Sequence, residues 1–182
     1  MKQIGAFTVA ALLLLGSGVA GASVELEATL SGRPAGVGGF LGGTGAGGMI
    51  GLPLGTRTVL MTGLDVLGVH GRLDGWALSV PLQLKVYLRS PAERKVLPVF
   101  RVGLVYSRTS GAASGFGGDD FVTHDLEVDG TLGLTYFVTE HLGLGVDAGI
   151  AYARRLGVQG WEYAPGGWSV AALWRTSLVL RL

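Results

Sequence analysis

Cysteine is absent from this 182-residue chain. That excludes disulfide scaffolds, thiolate metal sites and a lipid anchor carried on a cysteine. Charge is sparse as well. Only 15% of residues are charged and the formal net charge is +1, which leaves no electrostatic footprint for nucleic acid. Beyond residue 22 no run of 18 apolar residues occurs, so no membrane-spanning helix is expected there. The three histidines, His70, His124 and His141, sit on separate segments, a weak basis for a metal site. An apolar fraction of 48% argues against a disordered chain. Glycine is abundant, at 33 residues, but lacks the every-third spacing of collagen.

Residues 1–22 read as a secretory leader. Lys2 supplies a positive start, Phe7 to Leu15 a short apolar run, and Ala20-Gly21-Ala22 a cleavage pattern of small residues. The run is too short for the roughly 20 apolar residues of a transmembrane helix. Processing there leaves a mature segment, 23–182, with 13 basic residues (Lys2 being lost from 14) against 13 acidic ones.

That segment alternates with a period of two. From Trp76 to Arg89 the even positions are Trp76, Leu78, Val80, Leu82, Leu84, Val86 and Leu88. The odd positions include Ser79, Gln83, Lys85 and Arg89. The stretches 123–138, 142–153 and 168–182 behave likewise. This is strand periodicity, not the helical 3.6. The runs extend over about 12–16 residues, longer than the usual 5–6 of soluble strands and enough for a tilted membrane strand. Eight strands are expected, over 23–31, 37–51, 57–70, 75–89, 96–108, 122–138, 141–155 and 166–182. An even count suits a closed antiparallel barrel without exposed edges.

Alternation alone does not say which face is inside. The odd positions of 143–153 are Gly, Gly, Asp, Gly, Ala and Ala. Small residues fit a narrow barrel interior of about eight strands, and glycine is a poor choice for a water-facing strand. The Leu/Val face then meets acyl chains. Connections also alternate in length: 109–121 and 156–165 are long at one end, and the turns at the other end are short. Aromatics gather near strand ends, at Trp76, Tyr106, Tyr136, Tyr152 and Trp168, where an interfacial girdle belongs.

On these features the chain resembles the small, eight-stranded bacterial outer-membrane β-barrels. The features are the leader, the paired alternating strands, the turn Tyr136-Phe-Val-Thr-Glu-His-Leu-Gly-Leu-Gly145, and a last strand with Trp174, Leu178, Leu180 and Leu182. The resemblance implies an all-β, eight-stranded antiparallel up-and-down transmembrane barrel over 23–182. It also implies an outer-membrane location and contact with outer-membrane lipid and lipopolysaccharide. In that family the barrel-assembly machinery recognises the C-terminal strand, which usually ends in Phe or Trp. Leu182 departs from this pattern.

With the apolar set turned outward, the inward set is ionic. Its acids are Glu25, Glu27, Asp65, Asp125, Glu127, Asp129 and Asp147, and its bases Lys85, Arg89, Arg101, Arg155, Arg175 and Arg181. Isolated buried charges are costly, so these are expected to pair and obstruct the lumen. The expected role is non-enzymatic, structural or surface-interacting, with no cofactor.

Other motifs are weaker. Gly43-Thr-Gly-Ala-Gly-Gly48 fits G-x-G-x-x-G, but Met49-Ile-Gly-Leu-Pro53 follows where a dinucleotide site needs a helix. His124 and Asp125 are neighbours, and adjacent strand residues face opposite ways. No serine lies two positions after any histidine, which disfavours a lipid-modifying enzyme. A soluble exported barrel binding a small ligand is the other alternative. Arg33, Arg72, Arg108 and Arg154 fall at or near the expected outer rim, either as holders of lipopolysaccharide phosphates or as solvated loop arginines. Trp161 and Tyr163 mark 156–165 as a possible surface-binding loop.

Overall fold

The alternating segments become eight strands that pair with their chain neighbours and close on themselves. The computed structural model describes residues 24–34, 42–69, 74–90, 95–112, 120–159 and 167–182. The strands are β1 (Glu25–Arg33), β2 (Gly43–Pro53), β3 (Thr58–Val69), β4 (Asp74–Tyr87), β5 (Val96–Ala112), β6 (Asp120–Phe137), β7 (Leu142–Gln159) and β8 (Trp168–Arg181). Every neighbouring pair is antiparallel, and β8 returns to pair with β1. The Leu182 N–H donates to the Val24 carbonyl at 2.9 Å, extending that seam. Closure leaves no open strand edge, as a membrane-spanning sheet requires. The expected leader, 1–22, lies outside the described residues.

One parity governs the whole wall. Pairing runs Glu25, Gly51, Met61, Gln83, Gly103, Asp129, Ala151, Ala171 from β1 round to β8, all odd. Odd residues face the lumen and even residues face out. The row starts at the short-turn end of β1 and finishes at the long-loop end of β8, which is the stagger of a tilted, closed barrel. A bulge interrupts the rule once. Asp125 pairs with Arg155 while His124 pairs with Gly157, so Leu156 is the extra residue.

The outer surface is apolar across its middle. Leu132 is 63% exposed and Ile150 67%, values that would be hazardous on a soluble monomer but suit a hydrocarbon solvent. Trp76, Tyr106, Tyr152 and Trp168 are exposed in the loop-end half, and Tyr136 near the turns. Trp174 lies against Gly32, where any Cβ would collide with its indole.

Two departures from the expected strands have simple causes. β5 runs on to Ala112 and β7 to Gln159, four residues past their expected ends, through Thr109-Ser-Gly-Ala112 and Leu156-Gly-Val-Gln159, where polarity contrast is too low for alternation to show. β4 holds Pro81 mid-strand, a residue normally kept to sheet edges. The β3–β4 ladder is interrupted between Thr62↔Leu82 and Asp65↔Ser79 without a change of register, and the Thr62 hydroxyl donates to the Pro81 carbonyl at 2.9 Å. A side-chain bond thus stands where the ladder opens. The glycine-rich 43–48 segment is strand β2, with no helix after it.

Outward charge should therefore be penalised by depth. Ile150→Arg, mid-strand on β7, is expected to lower unfolding stability in bilayers by about 2–4 kcal/mol, and Leu142→Arg at the strand end by about 0–1. Denaturant titration of the folded barrel in vesicles reads both. Equal costs would contradict this depth assignment.

Candidate functional site: the ionic lumen and its mouths

The odd positions place seven carboxylates and six cations inside a narrow wall. The centre of the network is Glu27, fully buried on β1. Arg101 on β5 grips it with two bonds, Nη1 at 2.7 Å and Nη2 at 2.9 Å. Lys85 on β4 donates to both Glu25 and Glu27. Arg101 continues to Asp147 on β7 at 3.3 Å, so one guanidinium ties β1 to β7 across the lumen. A fork-shaped cation suits such bridging better than a point charge.

A second group lies further along. Gln83 on β4 donates to Asp129 on β6 and accepts from Arg175 on β8 at 3.0 Å. Arg175 and Asp129 stand 3.8 Å apart, so the amide completes a contact that the ions alone make loosely. Asp65 on β3 accepts from the Thr29 hydroxyl at 3.1 Å. Gly47 on β2 sits beneath it, where a Cβ would fall on the carboxylate. Gly47 thus leaves the volume that the Asp65 carboxylate occupies.

The mouths differ. At the turn end, Met49, Val59, Met61, Tyr87, Leu97, Val99, Phe137 and Val179 form a buried apolar cluster. The Tyr87 hydroxyl donates to Glu25 at 2.7 Å. Arg181 bonds Glu25 at 3.3 Å and lies over the Phe137 and Tyr87 rings, at 3.9 and 4.8 Å from their centroids. Apolar side chains and a stacked cation gather at this end. At the loop end, Arg33 pairs with Glu127, Arg155 with Asp125 at 3.1 Å, and Ser79 with Ser107 at 2.8 Å. Together they line a cup of about 50 Å³. That holds water, but falls far below the roughly 300–1,000 Å³ of a small-molecule site.

The expected lumen residues lie on the inward face, with the exception of Arg89. Arg89 lies past the end of β4 and is exposed. Its odd parity would point it inward only if the strand continued, and the chain bends at 88–89 instead. Arg33, expected at the outer rim toward lipid phosphate, is the last residue of β1 and turns inward to Glu127. Arg72, Trp161 and Tyr163 lie outside the described residues. Asp125 faces inward to Arg155 and Thr123, while His124 faces outward, its Nδ1 2.6 Å from the Tyr106 hydroxyl. The two do not converge on a reacting centre.

Three features escaped the sequence reading: the apolar seal, the Gln83 bridge and the Tyr87 bond. The seal had a signal. Val96-Leu-Pro-Val-Phe100, Val86-Tyr-Leu88 and Tyr136-Phe-Val138 are apolar at both parities, which marks places where the wall is apolar on both faces.

No family model matches the chain, and no curated protein matches it. Solved structures do. The chain is similar to Neisserial surface protein A at 16% identity, with a TM-score of 0.63 over 91% of this chain and 100% of that one. It is similar to the N-terminal β-barrel domain of Pseudomonas aeruginosa OprF at 19% identity, with a TM-score of 0.51 over 85% and 96%. A major outer membrane protein from Thermus thermophilus gives 16% identity and a TM-score of 0.51 over 90% and 100%. The fold is that of the small bacterial outer-membrane β-barrels.

Removing the shared cation should expose the cost of the acids around it. Lys85→Met is expected to destabilise the barrel by about 3–5 kcal/mol, because two buried carboxylates lose the cation they share. Adding Glu25→Gln, which removes one negative charge for the positive one lost and leaves Glu27 on Arg101, should restore part of that loss. Denaturant titration in detergent, followed by tryptophan fluorescence, measures both. A double variant whose cost is the sum of the two single costs would show that the groups do not act together.

Proposed function

We propose that this chain is a non-enzymatic integral protein of the bacterial outer membrane, with a structural or surface-interaction role and a lumen closed by its own side chains. The observation that carries the reading is the single-parity wall, with Leu, Val and aromatic residues outside and paired ions inside. Such an exterior is stable against acyl chains and would drive association in water. The Thermus barrel is an outer membrane protein by name, and the same setting suits this surface.

The loop end faces outward in this reading and the chain termini face the periplasm. The loop after β7, with Trp161 and Tyr163, then offers an aromatic surface to an extracellular partner. The last strand, with Trp174, Leu178, Leu180 and Leu182, is the element offered to the barrel-assembly machinery. Outer-membrane lipid, lipopolysaccharide included, surrounds the belt. Ion flow is blocked twice, by the apolar seal and by the Glu27 network, because a permeating ion would have to displace a buried pair.

Planar bilayer recording tests the closed lumen. The expected result is no steady conductance on the nanosiemens scale, as suits eight strands rather than the 16–18 of a porin. A stable, ohmic channel of that size would contradict it. Carbonate washing of membranes tests the location: the protein stays with the membrane, and release into the wash would contradict integral insertion.

A further inference from the structure

Among the outward strand side chains that are described, the charged and basic groups fall together in one sector of the wall. The basic ones are Arg108, His124 and Arg154. They stand on consecutive strands β5, β6 and β7, all toward the loop end. Arg108 is directly opposite His124. Arg154 is opposite Leu126, the next outward residue of β6, so it is a diagonal neighbour of His124 at about 7–8 Å, within reach of long side chains. Both arginines are exposed. Asp120, an acid on the same face of β6, lies two outward positions beyond His124.

The middle group is held in place. The Tyr106 hydroxyl lies 2.6 Å from His124 Nδ1, and the two rings stack at 6.1 Å with 26° between their planes. That contact engages Nδ1 and leaves Nε2 for a ligand. Trp168 stands opposite Arg154 on β8 and is exposed, the position of an interfacial aromatic. Below these three residues the wall continues as Leu104 and Val128, both exposed.

We infer that Arg108, His124 and Arg154 form an external binding site for the phosphomonoester headgroup of an acidic membrane lipid, whose acyl chains run down the apolar wall beneath. The inference rests on the membrane reading above, because a group at this level on the outside of a spanning barrel meets lipid. Two guanidinium forks beside an imidazole match a phosphomonoester, which carries about −1.5 to −2 charge at pH 7, better than a singly charged diester.

The test refolds the full chain into phosphatidylcholine vesicles and scores insertion by flotation. Lipids retained by the barrel are then counted by native mass spectrometry after adding phosphatidic acid, phosphatidylglycerol or inorganic phosphate. Phosphatidic acid is expected to be retained at least tenfold more than phosphatidylglycerol, with no displacement by millimolar inorganic phosphate. The R108Q/R154Q variant should lose that preference at least tenfold and still float. Tyr106→Phe should weaken it severalfold, whereas Asp120→Asn should not. Equal retention by the wild type and R108Q/R154Q would overturn the site and leave the barrel reading intact. Displacement by inorganic phosphate would assign the cations to a soluble ligand and overturn the lipid assignment. A wild-type chain that fails to float would remove both readings together.

Discussion

A strand has two faces, and in this chain the two meet opposite solvents. Among the described residues the even positions take one solvent and the odd positions the other, until the extra residue Leu156 on β7 inverts the parity of 157–159. A slip of one residue in any pairing would turn Lys85, Arg101 or Asp147 out to lipid and Leu84 or Val146 into the lumen. Register is therefore enforced twice, by the cost of charge in hydrocarbon and by the ion pairs that only the correct register can form. Ring closure then satisfies the backbone without water.

The interior follows from the radius. Eight strands leave room for side chains but not for a stream of water. Several lumen side chains occupy space that a glycine leaves: Asp65 over Gly47, Gln83 beside Gly103 and Asp147 beside Gly133. Buried pairs are not strong evidence for stability, since apolar replacements often do as well. Their value here is geometric. Glu27, Arg101 and Asp147 join strands that are far apart in sequence, and Arg175 with Gln83 joins β8 to β4.

Legibility in the sequence tracked contrast. β4, β6, β7 and β8 were readable because Leu or Val alternates with Ser, Lys, Asp or Gly. β2 was marginal because glycine has no polarity to alternate, and β5 and β7 looked short where Ser, Thr, Gly and Arg blur the pattern. The ionic residues were legible by parity alone, and the same reasoning misplaced Arg89, since parity says nothing once a strand has ended. Arg33 failed for the converse reason: at the last residue of β1, parity turned it inward to Glu127. The apolar seal was hidden because a wall that is apolar on both faces shows no alternation at all. Pair identities such as Arg175 with Gln83 depend on stagger between distant strands, which no single segment encodes.

The inside–outside assignment is the claim on which the rest stands, and the lack of cysteine makes it directly accessible. Single cysteines placed in turn at 144, 146, 148, 149, 150, 151 and 153 on β7, each carrying a nitroxide in a bilayer, report collision with dissolved oxygen, which partitions into acyl chains. The account predicts high oxygen accessibility at 144, 146, 148 and 150, and low accessibility at 149, 151 and 153. A profile with no alternation, or with the odd positions more accessible than the even ones, would contradict it.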